Sequence, residues 1–178
     1  ISPVRDRWRV NIAYFVYEFP PRLVGGLGTY AAEMTQLLVK KGLDVSVFTQ
    51  NDGTLSPREL WHGVEVFRPT TTDLSDILHP MLDPSFARWG QGLRFFSDIL
   101  AYNIVSASLL GELTWKEKRR YSLVSAHDWL SAVGAVSAKK ELKTPLIFHV
   151  HSTEKGRAMG GANQVISTLE HATAKAAD

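Results

Sequence analysis

Cysteine is absent from this 178-residue sequence. Disulfides, thiolate zinc sites and cysteine nucleophiles are excluded together, and the absence fits a reducing, cytoplasmic setting. An excess of either charge is lacking too. Twenty lysines and arginines stand against 18 aspartates and glutamates, a formal net charge of +2. The densest basic cluster, Lys116, Lys118, Arg119 and Arg120, is interrupted by Glu117, so the charge pattern does not ask for nucleic acid. No apolar run approaches the roughly 18 residues of a membrane-spanning helix. The first nine residues are polar and charged, without a signal-peptide core. The expected partners therefore include neither nucleic acid nor a membrane. An initiator Met and a helix-stop signal at the far end are also missing, which leads us to expect a part of a longer polypeptide.

What is present describes a globular domain. Apolar residues make up 44% and charged residues 21%, so disorder is not the expected state. The length suffices for one domain with a sizeable core and is too short for two. Residues 9–17 are aromatic and β-branched, the pattern of a strand buried on both faces. Residues 18–28 hold two prolines and three glycines and read as a loop. From Thr29 the spacing of Tyr30, Met34, Leu37, Leu38 and Lys41 predicts an amphipathic helix, stopped by Gly42. Residues 44–49 form a second strand, which completes a βαβ unit with a right-handed crossover. Further strands are expected at 64–67, 121–126 and 145–150. Helices are expected at 86–110 (with breaks at Gly90 and Gly92), at 131–140 and at 163–177, and a loop at 69–84. This alternation predicts one Rossmann-like α/β domain over residues 1–178, an open, mostly parallel sheet with helices on both faces. Ligands of such sheets bind at the carboxyl ends of the strands. The polar clusters 18–28, 127–129 and 151–154 all fall there.

Gly25, Gly26 and Gly28 allow a close backbone approach at a helix start, where a phosphate is stabilised by N–H groups and by the helix dipole. A plain tight turn explains them as well. Gly26-Leu-Gly28-Thr-Tyr-Ala31 also fits the dinucleotide fingerprint G-x-G-x-x-A. That fit is poor, because a proline-containing stretch separates Tyr17 from Gly26 and Asp52 comes late for the ribose carboxylate. In His127-Asp-Trp129 a carboxylate beside an indole suits a sugar: the carboxylate accepts from vicinal hydroxyls and the ring covers a C–H face. Alternatively, Asp128 caps the next helix and Trp129 fills core. His149 and His151, two residues apart on a strand, share a face. With His127 they suggest a metal only faintly, since no carboxylate supports them. One buried imidazole and one ligand-facing donor is the preferred reading. Glu154 is either a base or a capping group. Ser152 lacks the pattern of a nucleophile elbow.

Three segments together resemble a family. Glu18-Phe-Pro-Pro-Arg-Leu-Val-Gly-Gly-Leu-Gly-Thr-Tyr30 resembles the first loop of retaining GT-B glycosyltransferases of the glycogen/starch synthase type. His127-Asp-Trp129 resembles their H-D-W segment, and Phe148-His-Val-His-Ser-Thr-Glu154 their strand ending in a sugar-contacting histidine. The resemblance implies the N-terminal, acceptor-side domain of an enzyme that moves glucose from ADP- or UDP-glucose to an α-glucan with retention. It also implies that no metal or other cofactor is needed. On it, Gly25, Gly26 and Gly28 bind the donor diphosphate, Asp128, Trp129 and His151 bind the donor sugar, and Arg22 is a candidate phosphate contact. His151 is the residue nearest to catalysis, as a sugar contact. Two departures stand out: Leu23 occupies the place of a lysine in bacterial glycogen synthases, and Thr29 stands near a usual acidic position. The loop looks more like the shorter archaeal-type form. The family's C-terminal nucleotide-binding domain has no counterpart in these residues, so we expect little or no transfer by the 178 residues alone. A sucrose-forming transferase, a non-catalytic sugar- or nucleotide-binding module and a nicotinamide dinucleotide domain are the competing readings.

Overall fold

The computed structural model describes residues 10–74, 91–158 and 161–178. The chain runs β1 (Asn11–Phe15), α1 (Gly26–Lys40), β2 (Asp44–Phe48), β3 (Arg58–Trp61), β4 (Val64–Phe67), α2 (Gln91–Lys116), β5 (Leu123–His127), a 3₁₀ turn (Trp129–Ser131), α3 (Ala132–Leu142), β6 (Leu146–His149), α4 (Glu154–Arg157) and α5 (Gln164–Ala176). One six-stranded sheet has the order β3-β4-β2-β1-β5-β6. Every pairing is parallel except the β3–β4 hairpin. This is the expected α/β architecture.

Residues of β1 alternate between two cores. Ile12, Tyr14 and Val16 join Val45, Val47, Val64 and Val66 on one face, with Ala31, Met34 and Leu38 of α1 packed over them. Ala13 and Phe15 join Phe48, Phe67, Val124 and Ala126 on the other, under Leu110 and Leu113 of α2 and Ala135 and Ala138 of α3. Burial on both faces explains why the central strands read as continuous apolar runs. Among the described residues, no helix is long and apolar enough to cross a membrane.

The structure differs from the expectation in four places. Helix α1 begins at Gly26, not Thr29, because glycines in a first turn keep helical geometry without contributing to the apolar period. The edge strand β3 was not expected. Its turn is His62-Gly63, both residues at positive φ (48° and 84°), which matches a tight two-residue hairpin. Helix α2 is continuous through Gly92 and extends to Lys116. The short helix α4 follows β6, where the sequence reading places a polar cluster and no helix. Residues 86–90 of the expected helix, including the break at Gly90, and residues 75–84 of the expected loop lie outside the described residues.

Helices α2 and α3 meet at Asn103. Its Nδ2 donates to the Ile99 and Leu130 carbonyls at 2.8 and 2.7 Å, and its Oδ1 accepts from the Gly134 amide at 2.7 Å. A Cβ on Gly134 would lie 2.8 Å from the Asn103 carbonyl oxygen. We therefore expect Asn103→Ala to cost about 2–3 kcal/mol through buried groups left unpaired. Gly134→Ala should cost about 1–3 kcal/mol through overpacking. Urea unfolding followed by circular dichroism measures both, and midpoints matching the unsubstituted chain would refute this account of the contact.

Candidate functional site

β1 and β5 are neighbours, yet the chain leaves β1 towards β2 under α1 and returns to β5 from α2 on the opposite face. Loops that diverge in this way leave a crevice at the strand ends. The loop after β1 is held from below. Phe19 is buried, and the guanidinium of Arg68, 1% exposed, bonds the Pro20 carbonyl and lies 2.6 Å from Glu59. The Glu18 carboxylate accepts from the backbone amides of Val24 and Gly25 at 3.1 and 2.9 Å. The three glycines then differ in role. A Cβ on Gly28 would meet Leu23 Cδ2 at 2.6 Å and Glu18 Cβ at 3.1 Å, whereas Gly25 and Gly26 have nothing within 4 Å. Gly28 is a packing glycine; Gly25 and Gly26 border open space. Glu18 thus holds the N-cap amide of α1, while no side chain bonds the helix's own first-turn N–H groups among the described residues, and these remain available to an anion. Arg22, the candidate phosphate contact, bonds Gln50 Oε1 at 2.7 Å and lies 3.4 Å from Asp52.

Across the crevice stands a histidine cluster. His127 is fully buried. Its ring stacks on Tyr14 at 4.1 Å and on His149 at 4.4 Å, so neighbours from β1 and β6 hold its plane. Its Nε2 lies 3.0 Å from Ser125 Oγ and its Nδ1 3.0 Å from Nε2 of His151. Burial first, then the charges of His149 and His151, hold the His127 pKa well below the ordinary imidazole value. Burial and then His151 lower that of His149. The Tyr30 ring, on the second turn of α1, meets His151 edge-on at 4.7 Å, which joins the cluster to the glycine loop.

Asp128 adopts φ 55° and ψ 174°, a backbone region that favours glycine and costs about 1–3 kcal/mol elsewhere. The kink turns its carboxylate towards the next strand's loop, where Oδ1 accepts from the amides of His151 at 2.7 Å and Ser152 at 3.4 Å. Its side chain makes no capping bond, contrary to the capping alternative. Trp129 is 5% exposed and packs against Phe95 and Phe96 of α2. The core-filling alternative describes it, and the indole offers almost no surface to a sugar. Glu154 opens α4 and accepts from the Asn163 amide at 2.9 Å, a structural role. Ser152 Oγ accepts from Arg157 at 2.9 Å. Among the described residues no group of three or more histidines and carboxylates is placed to hold a metal ion.

The structure thus brings Asp128 and His151 together and sets Tyr30, on the helix that Gly25 and Gly26 open, against His151; Arg22 is engaged by Gln50 and Asp52, and Trp129 lies in the core. Glu18, Tyr14, Tyr30 and Ser125 were not singled out as site residues. Ser125 and His127, two apart on one strand, carried a readable signal; Tyr14 and Tyr30 carried none, because aromatics in such positions read as core.

Residues 25–178 match the glycosyl transferase 4-like domain family. The chain belongs to that family. The glycosyl transferase 4-like domain is 25% identical to a glycogen synthase of Mycobacterium tuberculosis over 167 residues, covering 92% of this chain and 38% of that protein. It is 28% identical to an uncharacterised glycosyltransferase of Methanocaldococcus jannaschii over 151 residues, 85% of this chain and 33% of the relative. It therefore spans between 33% and 38% of the length of these relatives. Its fold is shared with the sucrose-phosphate synthase of Thermosynechococcus elongatus, with a TM-score of 0.63 and 17% identity over 96% of this chain and 41% of that one. It is shared also with the catalytic domain of starch synthase IV from Arabidopsis thaliana bound to ADP and acarbose, with a TM-score of 0.54 and 16% identity over 90% and 38%. The GT-B resemblance is borne out, and the dinucleotide reading of the glycine loop gives way to it.

The histidine cluster makes stability depend on pH. Unfolded imidazoles take up a proton near pH 6.5, whereas folded His127 and His149 resist it. Below about pH 6.5 the unfolded chain binds more protons than the fold, so stability is present above that pH and is lost as pH falls. The urea midpoint should drop between about pH 7.5 and about pH 5.5, and His127→Gln should flatten the drop. An equal slope in the variant would show that other groups carry the dependence.

Proposed function

We propose that this domain is the acceptor-side half of a retaining glycosyltransferase that moves glucose from ADP- or UDP-glucose to an α-glucan. One observation carries the reading. Tyr30, on α1, rests against His151, so the uncapped start of α1 lies beside the imidazole pair. In a nucleotide sugar the diphosphate and the hexose are bonded to each other, so their sites must adjoin. The open backbone at Gly25 and Gly26 and the positive helix end suit the leaving diphosphate. His151 contacts the hexose. Asp128 supports it by fixing the backbone of residues 151 and 152, and Arg22 reaches a phosphate by exchanging its Gln50 and Asp52 partners. Trp129 is left to the core. The opposite wall, with most of the nucleotide site, comes from a second domain of the same polypeptide, as the greater length of the relatives suggests. No metal or other cofactor is assigned, and the cysteine-free sequence suits the cytoplasm.

Transfer assays on the polypeptide that carries this domain test the reading. ADP-glucose and UDP-glucose serve as donors, and a malto-oligosaccharide and fructose 6-phosphate as acceptors. We expect glucan extension, with His151→Ala lowering kcat/KM about 10²–10³-fold, the scale of one lost stabilising donor. Gly26→Ala should raise the donor KM without loss of stability, whereas Gly28→Ala should lower stability as well, since only Gly28 is packed against the loop. Transfer to fructose 6-phosphate alone would favour a sucrose-forming enzyme. Binding of a nucleotide sugar without any transfer would favour the binding module.

A further inference from the structure

An imidazole with one proton donates from one nitrogen and accepts at the other, and each choice follows from the partner across the ring. The 3.0 Å contact between His127 Nδ1 and His151 Nε2 joins two ring nitrogens, so one gives and the other takes. Ser125 decides which. Its side chain is buried, and its one hydrogen-bond partner among the described residues is His127 Nε2, 3.0 Å away. A buried hydroxyl that only accepted there would leave its own proton unpaired, which interiors avoid. Ser125 therefore donates to Nε2. Burial keeps His127 neutral, so its single proton sits on Nδ1 and is given to His151 Nε2. With Nε2 accepting, a singly protonated His151 carries its proton on Nδ1. That nitrogen has no hydrogen-bond partner among the described residues, on an exposed residue at the crevice.

We propose that His127 is a positioning residue which, set by Ser125 and clamped between Tyr14 and His149, fixes His151 as a hydrogen-bond donor through Nδ1. Two anchors act on His151 at once: His127 binds the ring, and Asp128 binds the backbone amide at 2.7 Å. Adjacent residues of one strand end thus hold both the position and the polarity of a third. The assignment rests on the function proposed above only for its consequence. If His151 faces the hexose, the sugar atom opposite Nδ1 must be an acceptor, a hydroxyl or ring oxygen.

Heteronuclear NMR of the imidazole nitrogens tests this on the 178-residue chain at neutral pH. We expect His127 and His151 both as Nδ1–H tautomers, the less common form of a free imidazole. Ser125→Ala should shift both towards Nε2–H or a mixture, and Ser125→Thr, which keeps a hydroxyl, should restore the pattern. A His127 ring protonated at Nε2 in the unsubstituted chain would overturn the proposal, as would nitrogen shifts that ignore Ser125→Ala. If that variant does not fold, the unsubstituted spectrum decides alone. Titration with ADP-glucose and UDP-glucose, made on the longer polypeptide that carries this domain because most of the nucleotide site lies in its second domain, separates the two readings. Tautomers as expected, with His151 signals unmoved by either compound, would support the positioning role and count against the sugar site.

Discussion

The site depends on the parallel seating of β1 between β2 and β5. Because β1 is covered on both faces, its alternate residues serve two cores, and the chain must leave it towards one neighbour and return to the other across the opposite face. That divergence opens the crevice. It also gives Tyr14 two duties: the ring belongs to the core beneath α1 and forms the wall on which His127 stacks. The same strand therefore carries the fold and sets the plane of an imidazole in the candidate site. Scaffold and site are not separable here, and disturbance of the sheet centre reaches the crevice directly.

The electrostatic character of the crevice follows from what its carboxylates do. Asp128 is spent on backbone amides and Glu18 on the amides of the first loop. Among the described residues, neither has a hydrogen bond to an imidazole nitrogen. His127 leans on a hydroxyl and on other rings, and its environment opposes a second proton. A histidine pair arranged this way suits hydrogen bonding to a polar ligand better than strong general-base work, which gains from a carboxylate behind the ring. The positive contribution comes from backbone instead, at the uncapped start of α1.

Much of this was legible in the sequence. The doubly buried strands announced themselves by unbroken apolar runs, and the three polar clusters at their ends marked the crevice. Other parts were hidden for identifiable reasons. Glycines carry no hydrophobic period, so the true start of α1 at Gly26 was invisible, as was the difference between Gly28, which is packed, and Gly26, which is open. β3 is a short edge strand with alternate residues exposed, and only His62-Gly63 hinted at its turn. Trp129 beside Asp128 reads as a sugar platform in one dimension. Only the arrival of α2, distant in sequence, shows the indole to be core. The clamp on His127 required knowing that β1, β5 and β6 are adjacent, which no local pattern states.

The contact between Leu23 and Gly28 binds two positions of the loop into one unit of sequence change. A β-carbon at position 28 would intrude on Leu23 and on Glu18, and Glu18 in turn holds the amides of residues 24 and 25. A longer or charged side chain at position 23 would have to vacate the seat over Gly28 to reach the crevice, and would release the constraint there. The side chain at position 23 and the space at position 28 are therefore coupled. A single grafted lysine at position 23 would leave a loop shaped for leucine, with the space over Gly28 unfilled.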